Sequence, residues 1–341
     1  MGKILELFES IKFFYDNKIK KVDLEIKKTV ILLGDGFFAR GFLHTINFSN
    51  YHVTQIYRDA FINPQDMMHS LQNKKDYDPT NYKHFRDIIT NFKSRYSLTK
   101  IPAEIKSLDI DTTSVKINDL NFNFDYLVIG LGAQKSLKTW TEEINKITRI
   151  NKYNTGRIAI VGLGPTGFEL SMILSKNNLI DVFDTLSEDK ILSYVKPYTK
   201  KYLQQLLNEQ KINLHLNSIY DPKNHLHNEA IFCVGTKSNM LTSHLKVNEY
   251  LQLETNKNVY IGGDCANTSF IKTAQVAYQQ GVYVADRLNK QINLQKNKFE
   301  FKSKGIALNL PNKNVLIESH PIIPDGIYPN FIIRLYSLFC I

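Results

Sequence analysis

Three glycines and one aspartate carry the clearest chemistry in this 341-residue chain. Gly162-Leu163-Gly164-Pro165-Thr166-Gly167 follows the β-rich run Arg157 to Val161 and opens an apolar helix that ends near Leu174. In such a strand-turn-helix, the first glycine permits the turn, the second admits a pyrophosphate and the third lets helix and strand approach. Phosphate would rest at the helix N-terminus, beside Thr166. Asp184 closes the next apolar run, where a carboxylate can accept hydrogen bonds from ribose hydroxyls and so favours NADH over NADPH.

A second opening stands earlier, at Gly34-Asp35-Gly36-Phe37-Phe38-Ala39 after the run Thr29 to Leu33, with Ala39 at the third glycine position. Its next strand, Val53 to Ile56, runs into Tyr57-Arg58-Asp59, so the acid position holds tyrosine. Two more strands end in glycine, Tyr126 to Gly130 and Ala230 to Gly235, and Val259 to Ile261 ends in Gly262-Gly263-Asp264. Val115 to Ile117 and Phe122 to Phe124 suggest a small antiparallel excursion. Strands alternating with helices predict α/β architecture: two Rossmann-like dinucleotide-binding domains, with parallel sheets covered by helices on both faces.

Composition excludes several classes. The 43 Lys and Arg exceed the 33 Asp and Glu, leaving a net charge of +10 that favours anionic partners. These cations are dispersed, without a basic-aromatic recognition module, so no nucleic-acid partner is expected. The three cysteines, Cys233, Cys265 and Cys340, form no CxxC pair, and residues 34 to 75 contain none, which excludes a disulfide reductase built on the first helix. His225 and His227 point to opposite faces if extended and lack carboxylates at ligand spacing; no metal site is read. Neither a transmembrane run nor a signal peptide is expected, which places the protein inside the cell, cytoplasmic or peripheral to a membrane.

The paired openings and the Gly262-Gly263-Asp264 strand end resemble the two-dinucleotide-binding-domain flavoproteins, and within them the type II NADH dehydrogenases with their ferroptosis-suppressor-like relatives. The segment GLGPTGFEL at 162 to 170 is similar to that family's GGGPTGVEL, NVYIGGDCA at 258 to 266 to NVYAIGDCA, and TAQVAYQQG at 273 to 281 to its AQVAxQQG helix. FDYLVIG at 124 to 130 stands for YDYLVIA, VGTKSN at 234 to 239 for the GTRPN turn, and residues 299 to 316 echo a short sheet. The resemblance runs from about residue 28 to 316, with a compressed segment from Ser136 to Gly156.

The resemblance implies FAD held by Gly34, Gly36, Ala39, Gly130, Gly263, Asp264 and Ala274. It implies NADH held by Gly162, Gly164, Thr166, Gly167, Asp184 and Gly235. Glu169 would lie near flavin and nicotinamide, where burial would suit it to proton handling; as a helix-terminal carboxylate it would instead serve the dipole. Gln275 and Gln279, four apart on one helical face with Ala274 and Ala277, would offer amides to a quinone. The implied activity is NADH:quinone oxidoreduction without proton pumping. Two rivals stay open: a flavin reductase with another acceptor, and a nucleotide-binding protein that has lost turnover.

The expected domains are an amphipathic helix at 1–27, an FAD-binding domain at 28–135 and 252–300, an NADH-binding domain at 136–251, and an interface segment at 301–341. Residues 1 to 27 place Ile4, Leu7, Phe8 and Ile11 on one face, for packing on the body of the chain or for membrane or partner contact. The apolar tail from Tyr328 to Ile341 suggests a monotopic membrane contact or a partner subunit, and a homodimer is allowed.

Overall fold

The β-branched run Lys28–Leu33 forms β1, at the centre of a six-stranded sheet in a computed structural model of the chain. The structure describes residues 27–58, 97–133, 137–153, 155–223, 226–235, 239–290, 297–320 and 323–329, together with residues 71, 90, 94 and 95. The amphipathic segment expected at residues 1–27 lies, except for Lys27, outside the described residues, as does the tail after Pro329.

β1 pairs in parallel with β2 (Tyr51–Tyr57) and β7 (Tyr126–Ile129), β2 with β3 (Leu98–Pro102), and β7 with β13 (Asn256–Ile261). The short β12 (Gln252–Leu253) closes one edge antiparallel, giving the order β12-β13-β7-β1-β2-β3. Strands from both ends of the chain thus share one sheet, and a second sheet is built from residues between them. It is wholly parallel, with the order β10 (Asn213–His215), β9 (Leu179–Phe183), β8 (Arg157–Val161), β11 (Glu229–Phe232). Such parallel sheets need cover on both faces, which explains why their strands read as almost unbroken apolar runs.

Helices α1 (Phe37–Thr45) and α5 (Ala274–Lys290) cover one face of the first sheet. They touch backbone to backbone: a β-carbon on Gly41 would lie 2.2 Å from the Tyr278 carbonyl oxygen, and one on Gly281 2.0 Å from that of Phe38. The opposite face carries no helix among the described residues. It is covered by a three-stranded antiparallel sheet, β4 (Leu108–Ile110), β5 (Ser114–Ile117) and β6 (Leu120–Asn123), which inserts Val115 and Ile117 into the core. This is the expected small excursion.

In the second domain, α2 (Leu137–Lys152) fills the compressed stretch, and α3 (Pro165–Leu174) and α4 (Pro197–Glu209) complete the helical layer. Ile158, Ile160, Ile180 and Val182 pack into that core. Alternation turns Asp181 and Phe183 to the other face. A last antiparallel sheet, β14 (Ile306–Leu310), β15 (Asn314–Glu318) and β16 (Gly326–Pro329), docks Leu308, Leu310 and Leu316 on the same core. Glu318 fastens it by accepting from the Lys196 N–H at the start of α4 and from the Thr199 hydroxyl.

Candidate active site

Both glycine turns are built as their sequences require. Gly34 and Gly162 hold φ of +109° and +100°, in the region that L side chains avoid. Their amides close equivalent ladders, Gly34 N–H donating to the Ile56 carbonyl and Gly162 N–H to that of Phe183, each at 2.8 Å. The residues that follow, Tyr57 and Asp184, therefore occupy equivalent places at the tips of β2 and β9. Only the second turn has its carboxylate.

Asp184 is already at work in that turn. Its Oδ2 accepts from Leu163 N–H at 2.7 Å and its Oδ1 from Leu186 N–H at 2.9 Å, which binds the glycine loop to the strand tip. Each oxygen keeps one lone pair for a ribose hydroxyl.

Above the turns there is room for phosphate. A β-carbon on Gly36, Gly132, Gly164 or Gly235 would meet nothing within 4 Å, and neither Gly36 nor Gly164 at the N-caps is joined by a side-chain cap. The first-turn amides of α1 and α3, with Thr166 in the latter, thus point their donors outward. Two buried amides flank the first turn with unmet capacity. Gln55 donates to Gly34 O and Asp35 Oδ1 but leaves its Oε1 unpartnered, and Gln280 accepts from Gly263 N–H at 2.7 Å but leaves its Nε2 unpartnered. These residues fit the pyrophosphate of a dinucleotide at both turns; the first lacks the ribose carboxylate. Gln55 carried no signal in sequence, and Gln280 stood in the AQVAxQQG stretch without a role of its own, because each acts by reaching across to another segment.

Gly263, Asp264 and Cys265 form a single 3-10 turn after β13. Gln280 holds it from α5, and the Thr242 hydroxyl donates to the Cys265 carbonyl at 2.9 Å from the returning chain. Desolvation raises the Asp264 carboxyl above its ordinary range, with Lys272 opposing. Cys265 is fully buried, and burial pushes its thiol up to about 11, which leaves it an inert packing group. Ala39 is likewise buried, on the inner face of α1, and Gly130 follows β7 beneath the ring of Phe38.

Gln275 and Gln279 lie on one face of α5, and both amides are engaged. Gln275 donates to Gly305 O at 2.8 Å and accepts from Lys304 N–H; Gln279 donates to Lys302 O at 2.8 Å and accepts from Lys302 N–H. Each side chain thus mimics a strand partner for the chain entering β14. Ala274 starts the helix beside them.

Glu169 stands in the second turn of α3, beyond the first-turn position expected from sequence, so the helix dipole is not its main partner. Its Oε1 accepts from both the backbone N–H and the Nδ2 of Asn309, each at 2.7 Å. Desolvation pushes the carboxyl up to about 7, against the pull of those two donors.

A further cluster was not foreseen. Asp181, fully buried, accepts from Arg157 (2.5 and 2.9 Å) and Asn213 and pairs with ring nitrogens of His215 and His227. Although burial opposes ionisation, these partners hold its carboxyl well below the usual range. Phe183 stacks on His215 at 4.4 Å, closing the cluster. His227 therefore has a structural partner, and among the described residues no group of His, Cys, Asp and Glu is placed to hold a metal.

A solved NADH complex of NDH2 from Plasmodium falciparum superposes with a TM-score of 0.70 at 16% identity, covering 92% of this chain and 95% of that one. The chain shares the fold of the two-domain FAD/NAD(P)-binding oxidoreductases. A probable mitochondrial NADH-ubiquinone oxidoreductase of Schizosaccharomyces pombe is 23% identical over 77% of this chain and 62% of its own length. The external alternative NADH-ubiquinone oxidoreductase of Yarrowia lipolytica is 23% identical over 77% of this chain and 59% of its own. The chain thus spans about six-tenths of the length of these relatives. No family model matches it.

Proposed function

We propose that this chain is an FAD-dependent NADH:quinone oxidoreductase of the type II class, taking NADH at the second glycine turn and a quinone as acceptor. The observation that carries the reading is the pairing of two open phosphate cradles in one chain with Glu169, a carboxyl near neutrality, one helical turn beyond the second cradle. The S. pombe and Y. lipolytica relatives, named as NADH-ubiquinone oxidoreductases, support the choice of substrates.

When bound, FAD supplies an acceptor for the hydride of NADH and a donor of two electrons to a quinone, whose reduction also consumes two protons. The chain binds and orients. The α1 and α3 amide ends hold pyrophosphates, Asp184 fixes the ribose of NADH, and Gln280 locks the Gly263 turn against α5. Glu169 holds or releases a proton at neutral pH, matching the demand of quinone reduction. No helix among the described residues is long and apolar enough to cross a membrane; access to a lipid-soluble quinone through a surface contact, and a homodimer, belong to this proposal.

A second reading draws on Gln275 and Gln279, whose amides are spent on backbone, and on Tyr57: a flavin oxidoreductase with an acceptor other than quinone. Anaerobic stopped-flow of the purified protein separates the two. Bleaching of the flavin visible band by NADH and its recovery on adding a short-chain quinone is the expected result. Bleaching without recovery supports the second reading, and an absent flavin band after reconstitution with FAD removes both.

A further inference from the structure

Glu169 is gripped by a residue that belongs to neither nucleotide-binding sheet. Asn309 sits on β14, in the C-terminal sheet, 140 residues away in sequence, and is 2% exposed. Both of its donors converge on the same atom, Oε1, at 2.7 Å. A carboxylate oxygen that accepts two hydrogen bonds has committed its lone pairs to them. The other oxygen, Oε2, makes no hydrogen bond to the described residues, and Glu169 keeps some accessible surface.

We propose that Asn309 is a positioning residue: by clamping Oε1 with two donors it forces the exchangeable proton of Glu169 onto Oε2 and keeps that proton releasable. The inference rests on the reading of Glu169 as the proton-handling group of a flavin oxidoreductase. The physical balance is between two opposed effects. Desolvation alone would trap the carboxyl in its neutral form; donors to the charged form draw it back, and the outcome is about 7. Among the described residues, no charged side chain from α3, β14 or the segment before α4 contributes to that balance. The titratable neighbour is Tyr194, whose hydroxyl is buried without a partner and is held neutral by burial and by the charge of Glu169. Asn309 Oδ1 is likewise buried and unpartnered, so nothing but Glu169 engages this amide.

The test is an infrared titration of the full chain labelled with carboxyl-13C glutamate, without NADH or quinone, in which Glu169→Gln identifies the band. In the parent a carboxyl titrates near 7. Asn309→Ala, which keeps the backbone donor and loses Nδ2, should move that midpoint upward by about one unit, a tenfold gain in proton affinity. Asn309→Asp keeps the volume and should move it further, because two carboxyls then share one charge. Near-UV circular dichroism confirms that each variant is folded. An unmoved midpoint in either folded variant, or a parent with no carboxyl titrating near neutrality, overturns the proposal. Because the readout needs no turnover, a chain that titrates as stated yet fails to oxidise NADH supports the clamp while removing the proposed activity.

Discussion

The ring of Phe38 fills the place where a side chain on Gly262 would begin: a β-carbon there would lie 2.1 Å from Phe38 Cε2. Gly130 makes the same concession on the neighbouring strand, at 2.4 Å from Phe38 Cδ1. One bulky residue in the first turn of α1 is thus accommodated by two missing side chains just beyond the ends of β7 and β13. The packing is complementary, and Phe38 is only 2% exposed.

Gly262→Ala should therefore destabilise the protein by about 1–3 kcal/mol through overpacking. Phe38→Ala should cost about 3–5 kcal/mol through the cavity it leaves. The double variant should lose less than the sum by at least about 0.5 kcal/mol, since the new methyl enters the vacated space. Urea unfolding of the four proteins measures the coupling, and strict additivity would contradict the contact.

Glu169 makes stability depend on pH in a defined direction. Its folded pKa, about 7, lies above its ordinary 4.5, so its neutral form is the one the fold favours. That contribution is complete below pH 4.5 and is lost as pH rises through 7. Allowing for the accessible part of the side chain, roughly 2 kcal/mol is at stake. Glu169→Gln should flatten the stability curve across this window, as read by thermal unfolding at a series of pH values. Parallel curves for parent and variant would mean that the carboxyl is not desolvated.

Gln275→Ala with Gln279→Ala should release the segment that these amides hold. Hydrogen exchange at the Lys302 and Lys304 amides, which donate to the two glutamines, should quicken by roughly tenfold, the worth of about one hydrogen bond each. Loss of quinone reduction with exchange unchanged would instead assign the amides to the acceptor.

Asp184→Ala should weaken NADH by roughly tenfold or more in an equilibrium titration, the cost of hydrogen bonds to a charged acceptor. Asp184→Asn, which keeps one carbonyl oxygen, should lose less. Equal affinity in parent and Asp184→Ala would confine this carboxylate to holding Leu163 and Leu186 in the turn.

Much of the molecule was legible before any coordinates. The two glycine turns, the helices behind them and the parallel strands stand where the spacing put them, and the absence of an acid at Tyr57 is matched by its equivalence to Asp184. Turns at φ near +100° and apolar runs are local facts, written in consecutive residues. The docking of the small antiparallel sheet on the far side of the first sheet was not legible, because a period of two announces burial without saying against what.

Sequence by itself determined where the two open glycine turns stand, since a strand, a glycine turn and a helix N-terminus assemble within one stretch of chain. Tertiary structure alone decided what surrounds those cradles. Glu169 meets Asn309 across 140 residues, Asp181 gathers Arg157, His215 and His227 from three segments, Gln279 turns to Lys302, and Phe38 finds the bare flank of Gly262. Side-chain polarity records that a group needs a partner. Which partner it gets is settled only when packing brings distant segments within hydrogen-bond reach.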